Sequence, residues 1–185
     1  MDAVSAAFAA APRAGFLPVR SRGSADLDAP IPIGHGQTSS QPRTVEAMLR
    51  LLRVLPGQRV LDVGSGSGWT TALLAHLSGP GGAVLGVELV PELAQWGAEN
   101  LARADVDGAR IRVAAAGVLG APDEAPFDRI LVSADGGELP SELVEQLADG
   151  GRMVLPVAGD LLLVTRRGDR TDTSRHGCYR FVPLR

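Results

Sequence analysis

The stretch Val60-Leu61-Asp62-Val63-Gly64-Ser65-Gly66-Ser67-Gly68-Trp69-Thr70-Thr71 decides the fold. Residues 60–63 make a short β-branched apolar run of the kind buried on both faces of a sheet. Three glycines at alternate positions follow, and residues 70–77 carry a helical pattern. Strand, glycine turn and helix form the first βα crossover of an open α/β sheet, whose ligands bind beyond the carboxyl ends of the strands. Glycines at such a turn let the backbone approach a ligand closely.

The spacing narrows the ligand. A dinucleotide site needs G-x-G-x-x-G, and a P-loop ends in Gly-Lys-Ser/Thr. Here the glycines run G-x-G-x-G with no lysine after them, so no dedicated phosphate cradle is present. Asp62 stands just before the turn, placed to accept hydrogen bonds or to face a cation. A turn that only packs helix on strand is the alternative. Glu88 ends the next apolar run, residues 83–88. An acid there can accept from both hydroxyls of a ribose, or it is a solvated charge at a strand end.

Outward from this centre, strands are expected at 59–63, 83–88, 110–114, 127–133 and 152–157, with helices at 70–77, 91–104 and 139–147 between them. This alternation predicts a mostly parallel sheet with right-handed crossovers. The last apolar runs, 161–165 and 179–184, have only a loop of Arg, Asp and Thr between them and read as an antiparallel pair. Upstream, Val45, Met48, Leu49 and Leu52 mark a helix that begins near Pro42 and is ended by Pro56-Gly57. Residues 4–11 suit a short alanine-rich helix. The stretch 18–42 is too polar and too punctuated by Pro, Gly and Asp for regular elements, which points to a functional loop or lid. Within it, Ser40 either serves chemistry or caps the helix starting at Pro42.

At 185 residues the chain suits one domain, 1–185, with 1–42 as amino-terminal helix and lid and 43–185 as sheet and helices. A hydrophobic content of 45% fits a packed core, and a net charge of −3 gives no general attraction to nucleic acid or acidic membranes. No apolar run approaches the roughly 20 residues needed to cross a bilayer. No signal peptide is visible, and the single cysteine, Cys178, has no disulfide or metal partner, so a cytoplasmic location without a metal is expected, with a monomer as the default state.

Several stretches taken together resemble the protein-L-isoaspartate O-methyltransferase family. They are Ile33-Gly34-His35-Gly36-Gln37-Thr38-Ser39-Ser40-Gln41-Pro42, the glycine motif, Ala125-Pro126-Phe127-Asp128, Gly150-Gly151-Arg152 and Phe181-Val182-Pro183-Leu184, joined by Pro12-Arg13 near the start. The resemblance covers nearly the whole chain. It implies a Rossmann-like class I α/β fold and methyl transfer from S-adenosyl-L-methionine, with S-adenosyl-L-homocysteine as product, to the α-carboxylate of L-isoaspartyl residues in damaged peptides or proteins. It places the active-site serine at Ser40. Gln37, Thr38, Asp62, Gly64, Ser65, Gly66, Gly68, Glu88, Leu89, Ala116 and Gly117 fall on cofactor-binding positions, and His35, Ser39, Ser40 and Asp135 are the candidates for contact with the acceptor.

Two positions depart from the family pattern. The family carries Gly-Asp-Gly after the third strand, its aspartate accepting from the adenine amine, whereas this chain has Ala115-Ala116-Gly117. At the tip of the fourth strand it has Ser133-Ala134-Asp135-Gly136-Gly137 in place of small apolar residues. A charge at Asp135 would repel an anionic acceptor, or act as base for a hydroxyl or amine acceptor, or simply form a turn. A diverged enzyme with a dedicated peptide or small-molecule acceptor, and a weakly active or non-catalytic relative, are the competing readings. The arginines at 166, 167, 170, 175 and 180 either meet an acidic peptide or belong to a solvated loop.

Overall fold

Five parallel strands carry the site. In the computed structural model, which describes residues 2–184, they are β3 (Arg59–Val63), β4 (Ala83–Glu88), β5 (Ala109–Val113), β6 (Phe127–Val132) and β7 (Leu147–Val157). Residues 1 and 185 of the expected domain lie outside the described residues. Two antiparallel strands, β8 (Asp160–Arg167) and β9 (Arg170–Cys178), complete a seven-stranded sheet of order β5-β4-β3-β6-β7-β8-β9. The order reverses direction between β3 and β6, so the crossovers leave to opposite sides and open a crevice above the strand ends there.

Helices α1 (Ala3–Ala10), α2 (Pro42–Leu52), α3 (Trp69–Ser78) and α4 (Pro91–Arg103) follow the sequence pattern closely, whereas α5 (Ser141–Glu145) is only a short helix. The central strands are apolar at successive positions because both faces are covered. Val60, Leu131 and Val154 join one core with Leu52 and Leu73, while Leu61, Ile130 and Met153 join the other with Leu143 and Leu147. The carboxyl end of α2 is fastened to this sheet by arginines. Arg152 Nη2 donates to the Leu51 carbonyl at 2.6 Å and Arg129 Nε to that of Arg53 at 3.0 Å.

Three expectations need correction. The lid region 18–42 contains regular structure: a 3₁₀ helix at Val19–Ser24 and a hairpin of β1 (Ile31–Gly34) and β2 (Gln37–Ser39). Its two-residue turn has left-handed backbone at His35 (φ 53) and Gly36 (φ 73), the hairpin geometry that glycine permits. Helix α2 stops at Leu52, where Arg53 turns left-handed, well before Pro56. Finally, the last strand is 170–178, not 179–184. Strand β9 is exposed throughout, so no apolar pattern betrays it, although Thr171 and Thr173 suit a strand. Residues 182–184 instead cross the tip of β6. Asp135 N donates to the Val182 carbonyl and Leu184 N to that of Asp135, each at 2.8 Å.

Candidate active site

The glycine motif closes over the end of β4. Gly64, Gly66 and Gly68 have φ values of 79, 50 and 85, which side-chain-bearing residues rarely adopt. Gly64 N and Ser65 N both donate to the Val87 carbonyl, and Gly66 N donates to Glu88 Oε2 at 2.8 Å. Gly68 begins α3. The loop is held from behind by α4. Asn100 Nδ2 donates to the Ser67 carbonyl at 2.8 Å, and Gly97 lies so near that a Cβ there would stand 2.8 Å from the Gly66 carbonyl oxygen. Sequence reading overlooked both residues. Gly97 interrupts a strong helical pattern and Asn100 follows at i+3, but nothing in that pattern says which segment they face.

A cavity of about 560 Å³ opens above this loop. Its walls come from the ends of β3 and β4, the segment 114–120 after β5, the tip of β6, the hairpin 33–40 and residues 182–184. It brings together His35, Gln37, Thr38, Ser39, Ser40, Gly64, Ser65, Gly66, Glu88, Leu89 and Gly117. Trp69 and the short segment 182–184 also line it, residues not anticipated as part of the site. Four expected residues stay out.

Asp62 lies beneath the loop and is fully buried. Its Oδ2 accepts from Thr70 and Thr71 hydroxyls at 2.7 Å each, while Oδ1 has no partner. Burial pushes its carboxyl up to about 6 against the pull of the two threonines, with the nearby Glu88 charge adding to the rise. The expected cofactor contact is therefore corrected: Asp62 fixes the start of α3. Gly68 faces α4, where a Cβ would meet the Gly97 carbonyl oxygen at 2.9 Å. Ala116 is exposed, and the cavity wall there is formed by Ala114, Ala115 and Gly117.

Asp135 is also corrected. Its Oδ1 accepts from Gly137 N and Ala158 N at 2.9 Å, and Oδ2 from Gly159 N at 3.0 Å. Partial burial raises its carboxyl, but the three amides outweigh that and hold it below the ordinary range. A carboxylate so saturated is a clip between two turns, without the spare basicity or the direction to serve an acceptor.

Ser40 does not cap α2. That position belongs to Gln41, whose side chain makes no capping bond, and Arg43 N is satisfied by Asp28 Oδ1 at 3.0 Å. Ser39 lines the cavity, but its hydroxyl accepts from Arg13 Nε at 3.1 Å. Glu88 is 7% exposed, and its Oε1 accepts from Val90 N at 3.0 Å. Each of its oxygens keeps a lone pair for a ligand hydroxyl. Three of the five carboxyl-terminal arginines, 166, 167 and 175, are engaged within the protein. Arg166 donates to the Glu145 and Leu147 carbonyls, Arg167 pairs with Asp172 and Arg175 with Asp160.

A glycine loop at the switch point, an acid ending the neighbouring strand and an antiparallel end to the sheet define a class I S-adenosylmethionine-dependent methyltransferase fold. Residues 1–185 match the family model "Protein-L-isoaspartate(D-aspartate) O-methyltransferase". The chain belongs to that family. It is 50% identical over 160 residues to the protein-L-isoaspartate O-methyltransferase of Aeropyrum pernix, covering 86% of this chain and 62% of that protein. It is 43% identical to that of Methanopyrus kandleri, covering 98% of this chain and 82% of the relative. Among solved structures, a putative protein-L-isoaspartate O-methyltransferase from Plasmodium falciparum, in complex with S-adenosyl-L-homocysteine, superposes with a TM-score of 0.87. It shares 28% identity, and the match covers all of this chain and 91% of that one.

Proposed function

We propose that the protein transfers the methyl group of S-adenosyl-L-methionine to the α-carboxylate of L-isoaspartyl residues in peptides and proteins. The observation that carries this reading is the hairpin segment 37–40 facing the glycine loop and Glu88 across one cavity, with Ser40 not used as a helix cap. The cavity also fits the cofactor. Its size is that of a site enclosing a small molecule, and Glu88, whose two carboxylate oxygens each accept only one backbone amide, lines it with capacity left for ligand hydroxyls. Glu88 would hold the ribose, the side-chain-free backbone of loop 64–66 would let the amino-acid end approach closely, and Leu89 and Gly117 would form the walls of the base.

When bound, the cofactor supplies a methyl group on a sulfonium, a carbon open to in-line attack. A carboxylate is ionised at pH 7, so the chain needs no general base. Its task is to hold two reactants at contact distance, which is worth on the order of 7–11 kcal/mol in the best cases. Ser40 is assigned to donate to the acceptor carboxylate and aim it, while the hairpin excludes water. The alternative of a hydroxyl or amine acceptor loses support because Asp135, the base it required, is engaged by three backbone amides.

The test is labelled methyl transfer to an isoaspartyl peptide, with its aspartyl isomer as control. Transfer to the isoaspartyl form alone is expected. Ser40→Ala removes one hydrogen bond to a charged group and should lower kcat by roughly ten- to a hundredfold, leaving S-adenosylhomocysteine affinity unchanged. Equal transfer to both isomers, or an equal loss of affinity, would overturn the assignment.

A further inference from the structure

We propose that Arg13 and Asp28 form a clamp that sets Ser40 in its working position, making Arg13 a positioning residue for the reaction. The inference rests on the function assigned above to Ser40.

Arg13 sits in a 3₁₀ turn (Arg13–Phe16) remote in sequence from the site, yet its side chain is only 5% exposed. Its guanidinium makes five hydrogen bonds. Nε donates to Ser39 Oγ at 3.1 Å and Nη2 to the Ser39 carbonyl at 3.0 Å. The carbonyls of Ala25, Leu27 and Ala29 accept the others, at 3.4, 3.0 and 2.9 Å. The cation also lies 5.3 Å from the ring centroid of Trp69, which itself lines the cavity. Burial lowers its affinity for the proton, and Asp28 is the charge that offsets this.

Three of those acceptors belong to residues 25–29, a strap with no helix or strand of its own. On its other side the strap carries Asp28. Asp28 Oδ2 accepts from Gln41 Nε2 at 2.9 Å and Oδ1 from Arg43 N at 3.0 Å. Ser40 therefore stands between two residues tied to the same strap: Ser39 through Arg13, and Gln41 through Asp28. Because the Ser39 carbonyl lies in the peptide plane that contains Ser40 N, a bond to it fixes that plane and with it the direction of the Ser40 side chain. Hairpin strand β2 ends at Ser39, so no ladder bond does this work beyond that point. A lysine could not substitute. Its three donors on one atom cannot reach acceptors spread along a strap and a strand end, as a planar fork of five can.

The chemistry is sensitive to such placement, since a misplacement near 1 Å can lower turnover by about a hundredfold. Arg13→Lys is expected to reduce kcat by roughly ten- to a hundredfold, with S-adenosylhomocysteine affinity changed by less than about threefold. Leu161→Ala, a truncation in the buried core at β8, serves as a stability control, assayed like the other variants well below its melting temperature. The decisive measurement is the double variant. If Arg13 acts through Ser40, Arg13→Lys lowers kcat little further once Ser40→Ala is in place. Additive losses, wild-type turnover by Arg13→Lys, or a matching kcat loss in Leu161→Ala each overturn the clamp. Should the wild-type chain fail to methylate the isoaspartyl peptide, the assigned function falls. Hydrogen exchange then decides the clamp alone: faster exchange of amides 37–41 in Arg13→Lys supports it, and unchanged exchange overturns it.

Discussion

Replacing Gly97 by alanine sets two effects of comparable size against each other. Gly97 is in the middle of α4, where alanine is favoured by about 1 kcal/mol through helix propensity alone. On an exposed helix the substitution would stabilise. Here the new Cβ would stand 2.8 Å from the Gly66 carbonyl oxygen and 2.9 Å from Ile111 Cδ1. The Ile111 methyl is the far end of a flexible side chain and can swing away. The Gly66 carbonyl cannot, because the loop is pinned by Gly66 N on Glu88 and by Gly68 N on the Ser65 carbonyl. Ordinary contact begins near 3.4 Å, so helix and loop must part by about 0.6 Å. Overpacking of this kind costs about 1–3 kcal/mol, which outweighs the propensity gain or at least cancels it. The expected net is a loss of up to about 2 kcal/mol, at roughly 2–4 °C of melting temperature per kcal/mol for a chain of this size. Parting the loop from α4 also moves Gly66, so S-adenosylhomocysteine affinity should fall by about tenfold, equivalent to about 1.4 kcal/mol. Calorimetry and thermal melts on the wild type, Gly97→Ala and Gly97→Ala with Ile111→Val measure both. Shortening Ile111 removes only the yielding contact, so the double variant should stay impaired. A Gly97→Ala protein that melts at or above the wild type and binds normally would refute the reasoning.

Two further substitutions probe acids that flank the site without entering it. Asp62 titrates at about 6 in the folded chain and at an ordinary 3.8 when unfolded, so between those values the folded state binds more protons and stability falls as pH rises. Asp62→Asn should remove that slope and, above pH 7, stabilise by on the order of 1–3 kcal/mol; superimposable pH–stability curves would sink the idea. Asp135 has the opposite sign. Its amide partners favour the ionised form, so its contribution is present above the ordinary carboxylate range and lost as pH falls through the lowered folded value. Asp135→Asn should cost about 1–3 kcal/mol at neutral pH and leave S-adenosylhomocysteine affinity unchanged, and a selective loss of turnover instead would restore Asp135 to the site.

The parallel sheet was readable because each strand is buried on both faces and each helix on one, so hydrophobic periodicity reports them directly. Strand β9 was hidden for the same reason. Its side chains are exposed on both faces, and only pairing with β8 makes it a strand. The run 179–184 misled because it is apolar without belonging to the sheet: Val182 and Leu184 turn to the cavity wall instead. Within the site, the glycine loop 64–66 could be found from its spacing, and residues 37–40 from the family resemblance of the stretch 33–42. Arg13, Gly97 and Asn100 could not, since each acts across a long sequence gap through a bond or a close approach that only the folded chain creates.

The two acids at the strand ends show how far local pattern reaches. Asp62 and Glu88 both precede a turn at the carboxyl end of a parallel strand, and their sequence contexts invite the same role. Register separates them. Asp62 is level with Gly86, and Val63 with Val87, so Glu88 stands two residues further along the shared direction. Two residues along a strand return a side chain to the same face and raise it by roughly 6.6 Å. At the lower level the acid is enclosed by Thr70 and Thr71 under the loop; at the upper one it meets Gly66 N and opens on the cavity. Gly86 is the reason the loop can sit so low. A Cβ there would approach Ile111 Cγ1 to 2.7 Å and Ser65 Cβ to 2.9 Å, so Ser65 settles onto a bare strand and Glu88 rises clear above it. The depth of an acid in the sheet, set by a neighbouring strand's register and one missing side chain, determines whether it anchors a helix or faces a ligand.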